Sequence, residues 1–218
     1  MKKIDIQGMS FYVREENYDD EYTVNEVIRD NCYKLKPEWI KNKVVIDAGA
    51  NIGDFSVLCW KLGARKVIAF EPEPNNFEIL KLNIAVNGAD VDIRNEALGI
   101  TGTTFIDNSS GHSRTGRITG SPVKVVSLND VVDSLDSLDS FVFKMDVEGA
   151  EYDIIETATD KTMLKIERII GELHSWRWDE EPERHKNLIL KLEKYFSISY
   201  DGYKNSNIQG KNKMTRQY

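Results

Sequence analysis

Five short segments hold the residues whose types and spacing suit chemistry. The first is DAGANIG, residues 47–53, which contains Asp47, Gly49, Asn51 and Gly53. Glycines placed this way allow a tight turn and close approach of a ligand to the backbone. A dinucleotide-binding turn has glycine where Asn51 stands, so that a pyrophosphate can reach a helix N-terminus. This loop therefore suits an adenosine without a phosphate. It also lacks the Gly-Lys-Ser/Thr ending of a phosphate-cradling loop. The second segment is FEPEP, residues 70–74, with Glu71 and Pro72. An acid roughly 20 residues beyond a glycine turn can accept both hydroxyls of a ribose. The blander role, a charge at a helix N-terminus, suits Glu73 better. The third is NEALG, residues 95–99, where Glu96, or a backbone N–H beside it, could meet an adenine edge. The fourth is KMDVEGAE, residues 144–151, which crowds Asp146, Glu148 and Glu151 into one turn. Glu151 is explained by a helix first turn, whereas Asp146 and Glu148 need another reason to sit at a buried strand end. The fifth is GELH, residues 171–174, with Glu172 and His174.

What must position these residues is a set of strands and helices in alternation. Residues 43–49 are an apolar run that turns polar only at its end, the pattern of a strand buried on both faces of a parallel sheet, and residues 65–73 and 140–149 read as further buried strands. Residues 164–174 read as another strand, and VDIRNEAL, residues 91–98, as a single strand between them. GDFSVLCWKLG reads as a helix closed by Gly63, and Pro74 opens a helix that Gly88 ends. Ser127 and Asp130 resemble a capping box. EPERHKNLILKLEKY is a charged amphipathic helix, and the tail supplies the final strands. Ahead of all this, a short hairpin turning at Gly8 leads into EYTVNEVIRDNCYKL, which reads as one helix. Alternation of this kind means an α/β fold with a mostly parallel sheet, whose ligands bind beyond the C-terminal strand ends.

The chain has 218 residues, the length of one domain, here divided into an N-terminal arm over residues 1–40 and a main domain over 41–218. Its 36 acidic and 29 basic residues give a net charge of −7, which argues against a protein built to grip nucleic-acid phosphates. No apolar run reaches membrane-spanning or signal-peptide length, so a cytoplasmic location is expected. Cys32 and Cys59 fit no metal or redox spacing, and Cys59 reads as a core thiol.

Taken in order, VVIDAGANIGDFS, FEPEP, NEALG and FKMDVEGAEYDII resemble the FkbM-type methyltransferases, over about residues 40–175. The first two motifs occur across many methyltransferases, and KMDVEGAE is the more specific mark. The resemblance implies a Rossmann-like class I methyltransferase fold. Its seven-stranded sheet would have the order 3-2-1-4-5-7-6, with an antiparallel last strand and helices on both faces. It implies S-adenosylmethionine as methyl donor, S-adenosylhomocysteine as product, and a hydroxyl oxygen of a sugar or natural-product-like small molecule as acceptor. Carried over residue by residue, Asp47, Gly49, Asn51 and Gly53 match the first motif, around the methionine part of the cofactor. Glu71, with Pro72, matches the ribose position, and Glu96 and Ala97 match the adenine edge. Asp146 falls beside the transferred methyl.

A hydroxyl acceptor needs its proton removed, and His174 is the candidate base, oriented by Asp146 or Glu172. A second option makes Asp146, with Glu172 or His174, a ligand set for Mg²⁺ or a similar ion; it is not the favoured one. Tyr22, Asn25, Arg29 and Tyr33 are candidate acceptor-site residues in the arm. So are the loop holding Ser110, His112, Ser113 and Arg114, and the aromatics Trp176 and Trp178. The competing readings are an RNA or protein methyltransferase on the same fold, a cofactor-binding module without catalysis, and nicotinamide-dependent reduction, which Asn51 disfavours. A homodimer is left open.

Overall fold

The computed structural model describes residues 1–106, 121–135, 140–174, 181–199 and 206–214. Among them, seven strands form the main sheet. In chain order they are β3 (Val44–Ala48), β4 (Lys66–Phe70), β5 (Asp92–Arg94), β9 (Phe141–Met145), β10 (Ile166–Leu173), β11 (Phe196–Ser199) and β12 (Ser206–Asn212). Their spatial order is β5-β4-β3-β9-β10-β12-β11, and β12 runs antiparallel to both neighbours. Numbered one to seven along the chain, this is 3-2-1-4-5-7-6, the order that the resemblance implies.

The central strands β3 and β9 are buried throughout, and strand alternation divides their side chains between two apolar clusters. Val44, Ile46, Phe141 and Phe143 pack with the helices α6 (Glu151–Thr157) and α8 (Pro182–Tyr195). Val45 and Val142 pack on the other face, with α3 (Asp54–Lys61), α4 (Pro74–Asn87) and the first 40 residues. Lys144 and Asp47 have the parity of that second face and are register partners across β3 and β9. The helix ends follow the sequence signals. Glu73 caps α4 by accepting from the Asn76 N–H at 2.7 Å, and Gly88 closes that helix with a φ of 60°. The Ser127 side chain caps α5 (Leu128–Asp133) by accepting from the Asp130 N–H at 3.0 Å.

The arm is joined to the core by specific polar contacts. The hairpin β1 (Lys2–Ile6) and β2 (Met9–Val13) turns at Gln7 and Gly8, both at positive φ. Asn83 and Asn87, one turn apart on α4, pair with the backbone of β2. The Asn83 amide accepts from Tyr12 N–H at 2.6 Å and donates to Tyr12 O at 3.2 Å and Ile52 O at 2.8 Å. Asn87 accepts from Ser10 N–H at 2.9 Å and donates to Ser10 O at 2.6 Å. Arg14 grips the buried Asp20 through both carboxylate oxygens and donates to Asn76 at 2.9 Å, which places α1 (Tyr18–Val24) beside the strand ends.

Two expectations are corrected. The single helix expected from residue 21 to 35 is α1 followed by a π-helical turn, Asn25–Arg29. VDIRNEAL is not one strand. β5 stops at Arg94, and Asn95 donates its amide to the carbonyls of Glu71 and Pro72 at 2.9 and 3.1 Å, turning the chain away. β6 (Ala97–Leu98) then enters a second sheet, of order β6-β8-β7, with β7 (Gly102–Ile106) and β8 (Ser121–Val126).

Candidate active site

The chain leaves β3 through a loop in which Gly49, Asn51 and Gly53 all take positive φ, at 76°, 48° and 94°. The N–H groups of Gly49 and Ala50 both donate to Phe70 O, at 3.0 and 2.9 Å, which binds the loop to the end of β4. A Cβ on Gly49 would lie 1.8 Å from Asp146 O, so only glycine lets the ends of β3 and β9 approach this closely. The Glu71 carboxylate accepts from Asn51 N–H at 2.7 Å and from Glu73 N–H at 2.8 Å. Burial pushes its pKa up to about 8, although both backbone donors favour the charged form.

Beyond these strand ends lies a cavity of about 290 Å³. Its lining includes Gly49, Asn51, Phe70, Glu71, Pro72 and Ala97, together with Tyr22, Glu26, Tyr33, Asp146, Glu148 and Glu172. The arm thus contributes wall residues. Asn25 and Arg29 do not line the cavity, and Arg29 pairs with Asp30 on the surface. The loop holding Ser110, His112, Ser113 and Arg114, and the aromatics Trp176 and Trp178, lie outside the described residues.

Asp47, Gly53, Glu96 and His174 are not on the cavity wall. Asp47 is buried beneath the loop, where it accepts from Ser56 Oγ at 2.6 Å and pairs with Lys144 at 3.2 Å. Gly53 begins α3, where a Cβ would meet Leu80 at 2.5 Å. Glu96 was expected at the adenine edge. Instead it binds Lys124 at 2.6 Å in a separate groove, because β5 has already ended and the chain has crossed to the second sheet. His174 lies behind Asp146 and Glu148, with 4% exposure.

His174 was expected to be oriented by Asp146 or Glu172, but Glu151 holds it. Nδ1 lies 3.0 Å from Glu151 Oε1, and a carboxylate at that distance places the proton on Nδ1. The same oxygen accepts the His174 N–H at 2.8 Å, and Oε2 accepts the Gly149 N–H at 2.7 Å. Glu151 is therefore more than a first-turn charge. Burial opposes charge on His174, but the Glu151 bond and the charges of Glu151, Asp146 and Glu148 outweigh it and raise the pKa to about 9. Burial, then the Asp146 charge, lifts Glu172 to about 7.

Lys144 was missed in the sequence. Its ammonium lies 3% exposed on the sheet and donates to Gly49 O at 2.6 Å besides pairing with Asp47. Burial lowers its pKa, but the charges of Asp47, Asp146 and Asp54 outweigh this and raise it. The signal available was a lysine inside the apolar run FVFKM.

The family model described as the methyltransferase FkbM domain matches residues 47–199. The chain belongs to this family. It is 25% identical to methyltransferase sdnD of Sordaria araneosa, over 91% of this chain and 90% of that protein. It is 26% identical to the hexuronic acid methyltransferase AglP of Haloferax volcanii, over 65% of this chain and 60% of that protein. Among solved structures it resembles a methyltransferase FkbM from Methylobacillus flagellatus, with a TM-score of 0.54 and 16% identity over 86% of this chain. It also resembles the tRNA (uracil-54, C5)-methyltransferase of Pyrococcus abyssi in complex with S-adenosylhomocysteine, with a TM-score of 0.53 and 13% identity over 97% of this chain. This chain spans 47% and 44% of those two chains. At such identities the likeness is one of fold.

This FkbM-type methyltransferase uses S-adenosylmethionine, and the residues present fit that molecule. The glycine cradle brings backbone to the cavity edge, Glu71 offers lone pairs for ribose hydroxyls, and no lysine or arginine lines the cavity among the described residues. That set suits a phosphate-free nucleoside bearing positive charge. Among the described residues no helix is long and apolar enough to cross a membrane.

One residue beneath the site yields a stability prediction. Asp54 is buried, with Oδ1 accepting from Phe55 N–H at 2.6 Å and Oδ2 without a hydrogen-bond partner among the described residues. Burial, with smaller contributions from Asp47 and Asp146, pushes its pKa from 3.8 up to about 7. Between these values the folded state keeps a proton that the unfolded chain has lost, so stability falls as pH rises and the full loss is present above pH 7. Asp54→Asn removes this penalty. The variant should melt at least a few degrees above the parent at pH 8, corresponding to roughly 2–4 kcal/mol, with the gap closing toward pH 4. Thermal melts across that range check it; a pH-independent gap would assign the effect to packing instead.

Proposed function

We propose that this FkbM-type enzyme methylates a hydroxyl oxygen of a small polyhydroxylated acceptor, a sugar or a natural product of similar polarity. The observation that carries the reading is the pair Asp146 and Glu172, at the ends of β9 and β10, which line the same cavity as Asn51 and Glu71. The acceptor half of the wall also carries Tyr22, Thr23 and Glu26, groups suited to hydrogen-bonding hydroxyls. The relative named as a hexuronic acid methyltransferase acts on a molecule of this class, which supports the assignment.

When bound, S-adenosylmethionine supplies an electrophilic methyl carbon and a neutral thioether as leaving group. Gly49, Asn51 and Glu71 would hold it. Asp146, whose Oδ2 accepts from Tyr33 OH at 2.8 Å, is fixed in one orientation and accepts from a neighbouring hydroxyl of the acceptor, which holds the reacting oxygen in line. Glu172 takes the hydroxyl proton and returns it to solvent. The base role falls to Glu172 rather than His174, because Glu172 reaches the cavity and His174 lies behind it. The arm over residues 1–40 closes the acceptor half of the site, and the domain over 41–218 carries the cofactor half.

Calorimetric titration with S-adenosylmethionine and S-adenosylhomocysteine, with NADH as control, should show binding of the first two alone. A panel of hexoses, hexuronic acids and amino sugars, assayed for S-adenosylhomocysteine release, tests the acceptor. Glu172→Gln should lower kcat about 10²–10⁴-fold and leave S-adenosylhomocysteine affinity within a few-fold. Full turnover in that variant would remove Glu172 from the base role, and methylation confined to nucleic acid or protein would overturn the acceptor class.

A further inference from the structure

We infer that Asp146, Glu148 and His174 form a binding site for one divalent cation, whose open positions face the acceptor half of the cavity. One ligand atom from each residue converges, all within 4.8 Å of one another. His174 Nε2 lies 3.7 Å from Asp146 Oδ1 and 3.6 Å from Glu148 Oε2. Those separations exceed hydrogen-bond reach. They lie at the upper end of what one ion imposes, since two ligands each about 2.1–2.2 Å from a cation and about 90–120° apart lie about 3.0–3.8 Å from each other.

The surroundings of the three residues carry the argument further. His174 is 96% buried, its Nδ1 is held by Glu151, and Nε2 is aimed into the cluster with no hydrogen bond among the described residues. A metal-ligating histidine is typically fixed in this way, with a carboxylate on the other ring nitrogen setting tautomer and orientation. Asp146 shows the same arrangement: Tyr33 OH occupies Oδ2, leaving Oδ1 toward His174. Tyr33 is itself buried and packs edge-on against Phe55, with ring centroids 5.6 Å apart. Glu148 reaches the cluster from a backbone at φ 51°, a conformation that a non-glycine residue adopts at a cost. Asp146 and Glu148 line the cavity, so the cation would sit in its wall, with His174 behind.

Two carboxylates and one imidazole suit a hard or borderline ion of the Mn²⁺ or Mg²⁺ kind. Three protein ligands leave positions for two oxygens of an acceptor, so the matching class is a vicinal diol or an α-hydroxy acid. This deepens the hydroxyl-acceptor reading and rests on it. It also shows how a wall rich in carboxylates can hold an oxygen-rich, even anionic, molecule.

The test titrates the full chain, stripped of metal by EDTA and dialysis, with MnCl₂, read by calorimetry and by loss of the free-ion electron paramagnetic resonance signal. One Mn²⁺ per chain is expected in the parent. Glu148→Gln and His174→Gln should each weaken Mn²⁺ binding at least about 10-fold, with S-adenosylhomocysteine affinity within a few-fold as the check that each variant is folded. Absence of Mn²⁺ binding in the parent, or equal affinity in both folded variants, overturns the inference. Turnover of the diol and hydroxy-acid panel is read in parallel. Mn²⁺ binding without methylation of any such acceptor keeps the cation and removes the acceptor reading; methylation indifferent to EDTA, with no Mn²⁺ bound, does the reverse.

Discussion

Replacing Lys144 with methionine should lower stability by about 3–5 kcal/mol, shifting the melting temperature down by roughly 6–20 °C. The ammonium lies between β3 and β9, 3.2 Å from Asp47 Oδ1, and donates to the Gly49 carbonyl at 2.6 Å. Asp47 has no exposed surface, and its other oxygen is occupied by Ser56. Methionine matches the length of the lysine stem but leaves a buried carboxylate without its cation. That residual charge, rather than the lost attraction, supplies most of the cost. The double variant Asp47→Asn with Lys144→Met should therefore recover much of the loss, since both charges are gone. Urea midpoints of the parent, the two single variants and the double variant form the cycle that measures this. Additive losses in the double variant would show that the two groups act independently. Cofactor affinity should fall along with stability in Lys144→Met, because the Gly49 carbonyl loses the donor that fixes the loop.

The second large effect belongs to Gly49→Ala. The new methyl carbon would sit 1.8 Å from the Asp146 carbonyl oxygen and 2.9 Å from its carbon, at a φ of 76°. Neither neighbour is a flexible side-chain tip, so the loop must lift from β9 or the strand ends must part. Left-handed strain and overpacking together cost about 2–5 kcal/mol. The larger consequence is positional, since Asn51 N–H would leave Glu71 and the cradle would open. S-adenosylhomocysteine affinity should fall at least about 100-fold, or the variant should fail to accumulate as folded protein. Gly88→Ala provides the comparison. Its φ of 60° is similar, but nothing lies within 4 Å of the added carbon. It should cost only about 1–2 kcal/mol and leave cofactor binding intact. Equal losses of affinity in both variants would show that strain alone, not the approach to Asp146, explains the glycine.

Much of this protein is written in local patterns. Apolar runs ending in Asp47, Phe70 and Met145 are buried strands because uncharged side chains are covered on both sheet faces without cost, whereas a charge there needs a partner, as Lys144 has in Asp47. DAGANIG turns as expected because Gly49 and Gly53 reach positive φ at little cost and Asn51 tolerates it, and Pro74 and Gly88 bound α4 for reasons confined to a few residues. Family motifs then extend these local signals to the sheet order and the cofactor.

What the tertiary structure alone decided are the pairings between distant residues. Asp47 and Lys144 meet because β3 and β9 pair in one register, and shifting it by one residue would put them on opposite faces. Glu151 reads locally as a helix-start acid, yet it holds His174 because β10 pairs parallel to β9, which brings the end of β10 beside the start of α6. Glu96 leaves the cavity because Asn95 turns the chain onto Glu71 and Pro72, a contact between segments that the sequence keeps apart. Asn83 and Asn87 find their partners only because β2 lies against α4. A side chain's type is local, but its partner depends on which elements pack together, and that is set by burying the two faces of one sheet at once.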